Sequence, residues 1–361
     1  MLDGLRGIAV LMVMYFHFLP EAVWPAHAWV KKAVQTGLGG GVDLFFFLSG
    51  FLITGILLDS KGSPHYFRNF YIRRVLRIFP LYYGTLAVVF LLLPRLGLGG
   101  EPFETVRALA PWHWAYLSNV AWFFHPTGLD TTQIDLRHFW SLAIEEHFYL
   151  FWPWVVGFTP ARHLWRVCLL VFGASVALRF GWAMSTQEFS LFVFLTPCRL
   201  DGLVAGGFLA AIIRQGDWKR YLPASKTIFC VSLLLLVTLF LRMKGHGGVR
   251  AVSITLLSII LASGVLVVLN WPANSLGTRF LSSRLLVFFG KYSFGLYVIH
   301  GLITPFLQRQ LPPEAWIATM GSNFLGCLAL ATAKIAMVVP LALLSWHLYE
   351  KQFLKLKQYF H

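Results

Sequence analysis

The sequence predicts an all-α, polytopic integral membrane protein. Three observations carry that prediction: 57% of the 361 residues are hydrophobic, only 12% are charged, and the apolar residues fall in long runs. Soluble domains carry about 25% charged residues, so this chain lacks the material for a water-facing surface. Its 33 Phe and 14 Trp suit a protein that meets lipid and headgroups at both faces of a bilayer. The same figures exclude an ordinary soluble enzyme, a disordered tail protein and a disulfide scaffold. A net charge of +15 would raise nucleic-acid binding for a soluble protein. Here the basic residues occupy short segments between apolar runs, so no nucleic-acid partner is expected and the lipid bilayer is. Cys168, Cys198, Cys230 and Cys327 are widely spaced, without CxxC or Cys/His metal spacing. They read as packing residues, and no metal is expected.

About ten transmembrane helices follow from the apolar runs: 6–23, 42–58, 78–94, 138–158, 165–183, 199–214, 227–243, 251–269, 285–306 and 322–347. Several contain Gly or Pro, which spanning helices tolerate when neighbours satisfy the freed backbone groups. The aromatic stretch 108–124, with Pro111 and Asn119, reads as interfacial or re-entrant. The first run lacks the small-x-small cleavage site of a signal peptide, and Arg6 and His17 lie in or beside it. Residues 1–361 read as one transmembrane domain without internal repeats, heptads or an appended soluble domain. Alternate loops hold 16 Lys and Arg on one side against 9 on the other, which predicts both termini in the cytoplasm.

Ionisable side chains inside spanning segments are costly and mark candidate functional positions. Arg6 and His17 are eleven residues apart. On a helix that spacing puts them within about 20° of one face and ~16 Å apart along the axis. A cation at the edge and a titratable imidazole deep on one stripe suit an anionic ligand with a reactive end. A snorkelling Arg and a structural His fit the spacing equally. Arg68, Arg73, Arg74 and Arg77 crowd a loop rich in aromatics. Arginine's planar fork of donors matches phosphate oxygens, although positive-inside charge alone accounts for such a loop. His138, Ser141 and Glu145 fall at i, i+3 and i+7 of one helical face, with Tyr149 a turn on; Glu146 and His147 accompany them. They form either a functional cluster or an ion-pair network. Asp43 opens the second span, and Arg199 and Asp201 begin the sixth, where they pair with Asp43 or with each other. Lys291, His300 and Lys334 are further intramembrane ionisable residues.

Seven segments in order then carry a resemblance: LDGLRGIAVLMVMYFH, GVDLFFFLSGFLIT, YIRRVLRIFPLYY, HFWSLAIEEHFYLFWP, PCRLDGLVAGG, GKYSFGLYVIH and LYEKQFLKLK. Together they resemble the acyltransferase-3 family of integral-membrane acyltransferases across nearly the whole chain. His147 stands where that family usually has Gln, and Ile299 where it commonly has Trp. The resemblance implies an O-acetyltransferase of the bacterial inner membrane. Such an enzyme moves an acyl group, typically acetyl from cytoplasmic acetyl-CoA, to a hydroxyl of a glycan or glycoside such as an O-antigen or exopolysaccharide. Carried over by position, Arg6 and His17 form the central pair, Arg74 and Arg77 the Arg-x-x-Arg motif, and Glu145 the acid of the SL-x-x-E motif.

A sugar hydroxyl needs a base, and a neutral imidazole is suited to that work near pH 7. His17 is assigned that role, or that of a transiently acylated carrier, with Arg6 and Glu145 as its catalytic partners. Arg73, Arg74 and Arg77, with Arg6, answer the phosphates of the acyl-CoA donor. Asp43, Ser141, His138, Arg199, Asp201 and His300 are assigned to acceptor binding or support. A homo-oligomer is compatible with the sequence. The competing classes are an acyltransferase for a small-molecule glycoside, and a transporter or flippase of lipid-linked cargo.

Overall fold

The computed structural model describes residues 1–19, 28–97, 106–124, 134–185, 191–242 and 247–360. Every regular element among these residues is helical. The principal helices are α1 (Leu2–Phe18), α2 (Ala28–Asp59), α3 (Tyr66–Ala87), α4 (Ala110–Trp114), α5 (Ser118–Phe124), α6 (Phe139–Phe158), α7 (Leu164–Ser185) and α8 (Leu200–Arg214). They continue as α9 (Leu222–Arg242), α10 (Gly247–Leu269), α11 (Leu276–Leu281), α12 (Arg284–Lys291), α13 (Ser293–Gln310), α14 (Pro313–Met320) and α15 (Asn323–Ser345).

Six helical stretches are long and apolar enough to cross a membrane: Gly37–Asp59, Tyr66–Arg95, Ala161–Met184, Trp218–Leu241, Val249–Leu269 and Asn323–Tyr359. A seventh crossing results if α12 and α13, bent by 71° at Tyr292, count as one broken span. The described helices therefore give six or seven crossing-competent segments where the sequence suggests ten. The difference lies in three segments. Helix α1 has 17 described residues, and α8 has 15. At 1.5 Å per residue α8 reaches only ~22 Å against a hydrocarbon core of ~30 Å. Most of α8 is buried within the protein, including Asp201. Helix α6 has 20 residues but carries Glu145, Glu146 and His147.

Two compact units make up the chain: Met1–Ala9, Gly40–Tyr66 and Ile144–Gly290 in the first, and Val10–Gly39, Phe67–Ala143 and Lys291–His361 in the second. In the first unit, α2 and α8 cross with backbones in contact. A Cβ at Gly50 would overlap the Leu203 carbonyl, and one at Gly206 the Phe47 carbonyl. Small residues at such crossings are what allow close packing where lipid offers no hydrophobic drive. Two buried ion pairs hold the start of α8 to its neighbours. The Arg179 Nη2 of α7 lies 2.7 Å from Asp201 Oδ2 on α8, and also donates to Thr255 Oγ1 on α10 at 2.6 Å. Its Nη1 donates to the Cys198 carbonyl at 2.6 Å. Arg199 Nη2 reaches Asp43 Oδ1 of α2 at 2.7 Å. Of the alternatives that the sequence leaves for Arg199 and Asp201, the structure takes Arg199 with Asp43 and supplies Arg179 for Asp201.

In the second unit, α3 contains Pro80 and runs on through a π-helical turn, Val88–Leu92, to Arg95. The stretch around residues 108–124 folds as α4 and α5, of 5 and 7 residues. The chain reverses at Tyr116, whose φ is 56°. The Tyr116 ring stacks on Tyr82 with centroids 3.9 Å apart, and Tyr82 Oη donates to the His113 carbonyl at 2.8 Å. Neither short helix is long enough to span a bilayer.

The buried pair yields a stability prediction. Arg179→Met leaves Asp201 without its guanidinium, at a cost of about 3–5 kcal/mol, whereas Arg179→Met with Asp201→Leu recovers most of that loss. Thermal unfolding in detergent, followed by tryptophan fluorescence, checks this. A double variant as unstable as Arg179→Met would contradict it.

Candidate active site

The second unit gathers three histidines. His17, in the last turn of α1, is half-buried, while His138 and His300 are buried. His300 lies on α13 three residues after Tyr297, which brings both onto one face. The ring centroids are 5.0 Å apart for His17 and His300, and 5.1 Å for His138 and His300. Gly301 makes room for this grouping, since a Cβ there would overlap the His138 ring.

The hydrogen bonds assign the protons. His300 Nδ1 lies 2.6 Å from the Tyr297 carbonyl and 3.2 Å from that of Leu296. A carbonyl only accepts, so Nδ1 carries the hydrogen and the Nε2 of the neutral ring is an acceptor. That Nε2 is 3.3 Å from His17 Nδ1, which in turn lies 2.9 Å from the Val13 carbonyl. His17 Nδ1 is therefore the protonated nitrogen, shared between Val13 and His300. Its Nε2 keeps an uncommitted lone pair, the requirement for a general base. His138 donates from Nε2 to the Val298 carbonyl at 3.1 Å.

Supporting contacts fix the frame. Ser141 Oγ and Tyr297 Oη share a hydrogen bond at 2.5 Å, and the hydroxyl that accepts it donates to the His138 carbonyl, which lies 3.1 Å from Ser141 Oγ and 3.0 Å from Tyr297 Oη. Asp135, buried just before α6, accepts the Arg137 backbone N–H at 2.8 Å and grips the Arg137 guanidinium at 2.7 Å. That hydrogen-bonded carboxylate pushes the guanidinium pKa above its ordinary value. Both charges lie within electrostatic reach of His17. Tyr297 and Asp135 were not foreseen from the sequence. For Tyr297 the available signal was its place three residues before His300 in GKYSFGLYVIH, and for Asp135 its place two residues before Arg137.

The same unit holds the arginines of α3. Arg73 is exposed; Arg74 and Arg77 are half-buried, one helical turn apart. Arg74 lies over the Phe70 ring, 5.9 Å from its centroid.

The remaining expected site residues belong to the first unit. Arg6 is half-buried on α1. Glu145 accepts from Ser49 Oγ and from Tyr149 Oη, each at 2.9 Å. His147 Nδ1 is 2.7 Å from Thr196 Oγ1. Asp43, Arg199 and Asp201 are engaged in the buried ion pairs. Thus His138 and Ser141 join His17, while the described partners of Glu145 are Ser49 and Tyr149. Of the face inferred for His138, Ser141 and Glu145, the last two lie within α6, and His138 immediately precedes that helix. Among the described residues no group of three His, Cys, Asp or Glu side chains is arranged to hold a metal ion.

A family model described as an acyltransferase domain matches residues 1–346. The chain belongs to this acyltransferase-3 family. It is 28% identical over 346 residues to the O-acetyltransferase OatA of Staphylococcus aureus, covering 88% of this chain and 53% of that protein. It is 29% identical over 354 residues to the peptidoglycan O-acetyltransferase OatA of Listeria monocytogenes, covering 88% of this chain and 52% of that protein. The acyltransferase-3 chain thus spans about half the length of these curated relatives. No solved structure matches it.

The proton assignment predicts reactivity within this acyltransferase-3 site. Diethylpyrocarbonate should label His17 and spare His138 and His300 in the folded protein, as read by peptide mass spectrometry. Labelling of His300 or His138 at a rate comparable with His17 would contradict the arrangement.

Proposed function

We propose that this acyltransferase-3 chain is a membrane-embedded O-acetyltransferase. It takes an acetyl group from a cytoplasmic acyl-CoA and places it on a hydroxyl of an extracytoplasmic glycan or glycoside, in the bacterial inner membrane. The observation that carries the reading is the histidine pair, in which His17 Nδ1–H is committed to Val13 and His300 and Nε2 is left as a base. The relatives named as O-acetyltransferases, one of them for peptidoglycan, support an envelope glycan as acceptor.

In this reading His17 Nε2 takes the proton of the acceptor hydroxyl as its oxygen attacks the thioester carbonyl. The carbon–sulfur bond breaks, and the proton then passes from the imidazolium to the departing thiolate. The imidazolium formed at His17 keeps its Nδ1–H bonded to Val13 and His300, so the ring does not turn during the transfer. Arg73, Arg74 and Arg77 hold the phosphates of the donor, a task suited to arginine's fork of donors. The excess of Lys and Arg in alternate loops supports a cytoplasmic position for that cluster. Arg6 and Glu145 enter the proposal through their match to the family motifs.

Two experiments test the proposal. Release of free thiol from acetyl-CoA, in the presence of an envelope glycan extract, should fall by about 10²–10⁴-fold in His17→Ala, the usual worth of a general base. Near-normal release by folded His17→Ala protein would refute the base assignment. Arg74→Ala with Arg77→Ala should raise KM for acetyl-CoA at least tenfold, on the order of one charge-assisted contact, with a smaller effect on kcat. A change confined to acceptor affinity would contradict the phosphate-holding role.

A further inference from the structure

Lys357 joins the arginines of α3 through the geometry of the segment that follows α15. That segment passes through a π-helical turn, Trp346–Glu350, and continues helically through Lys351–Lys355 and Leu356–Tyr359. Two contacts lay it along α3. A Cβ at Gly84 would sit 3.2 Å from Tyr349 Oη, so these positions face each other closely. Arg73 Nη1 donates to the Phe360 carbonyl at 3.3 Å. Both contacts place the Tyr349–Phe360 segment along α3. The Phe360 N–H donates to the Lys357 carbonyl at 3.2 Å, so Lys357 lies one turn from the residue that Arg73 grips.

Arg77, Arg74 and Arg73 all lie within electrostatic reach of Lys357, which is half-buried. Glu350, bonded to Ser345 Oγ at 3.0 Å, acts on Arg77. Among the described residues, Glu350 is the carboxylate shown acting on this group of four cations. Like charges so gathered repel each other, and a multiply charged anion offsets that repulsion.

We infer that Arg73, Arg74, Arg77 and Lys357 form one phosphate-binding site, with the Tyr349–Phe360 segment as its second wall. The ligand chemistry is phosphate ester, from either of two sources: the phosphates of a coenzyme A donor or the headgroup of an anionic phospholipid. The first source rests on the donor reading above; the second does not.

The test uses the full chain as wild type, Lys357→Ala and Lys357→Arg, with thermal unfolding to show that all three are folded. Free coenzyme A is titrated against protein in phosphatidylcholine nanodiscs. In parallel, native mass spectrometry counts adducts of short-chain phosphatidylglycerol against phosphatidylcholine in detergent. Lys357→Ala should weaken coenzyme A binding about tenfold, a typical loss for one charge-assisted contact, and Lys357→Arg should restore it. Loss of phosphatidylglycerol adducts in Lys357→Ala with coenzyme A binding intact would uphold the site and assign it to lipid. Wild-type binding of coenzyme A that Lys357→Ala leaves unchanged, with lipid adducts also unchanged, overturns the inference while the donor reading stands. If wild type binds no coenzyme A, the donor reading fails, and the lipid measurement alone decides whether the site exists.

Discussion

A histidine ring within the protein must place two nitrogens at once, and whatever the first is bonded to decides what the second can do. In this chain the decision starts at a backbone carbonyl. Tyr297 takes the Nδ1 hydrogen of His300, which leaves His300 Nε2 able only to accept. That acceptor, with the Val13 carbonyl, holds the Nδ1 hydrogen of His17. The reactive face of His17 is thus set by helix backbone, the least adjustable partner available. Tyr297 and Ser141 brace the His138 carbonyl, and Gly301 admits the His138 ring beside His300. The rest of the second unit follows from the need to keep α13 in register with the end of α1.

The first unit solves a different problem, which is how to hold charged residues among apolar helices. Asp43 and Arg199, and Arg179 and Asp201, are buried in pairs, and Arg179 also donates to the Cys198 carbonyl and the Thr255 hydroxyl. Burying such pairs stabilises little by itself, but removing one partner is expensive. Their value is registry: each pair joins two helices at one height. The glycine contacts between α2 and α8 act in the same way, since an added Cβ has no space to occupy.

Much of this was legible in the sequence. The class, the helical architecture and the candidates His17, Arg74 and Arg77 come from composition, spacing and motif. Asp43 with Arg199 was among the pairings the sequence allowed. What the sequence could not express was contact at long range. His17 and His300 are separated by 283 positions, and no periodicity links them. Arg179 sits in an apolar run where a lone cation reads as a snorkelling side chain, and only the fold reveals that it is wholly buried against Asp201. Lys357 counts in the sequence merely as one more positive charge, and acquires a role only once its segment is seen to lie along α3. Segments 6–23, 138–158 and 199–214 correspond to described helices that are shorter, or richer in ionisable residues, than those of the other seven.

The central claim is the protonation of His17, and nitrogen NMR measures it directly. Protein carrying ¹⁵N-labelled histidine side chains, compared with His17→Gln protein to assign the signal, reports which ring nitrogen bears hydrogen at neutral pH. The arrangement described here predicts a neutral His17 ring with its hydrogen on Nδ1, a tautomer that the Val13 carbonyl continues to hold in His300→Ala. A His17 ring protonated on Nε2 in the wild-type protein would contradict the account, because the nitrogen assigned as the base would then have no lone pair to use.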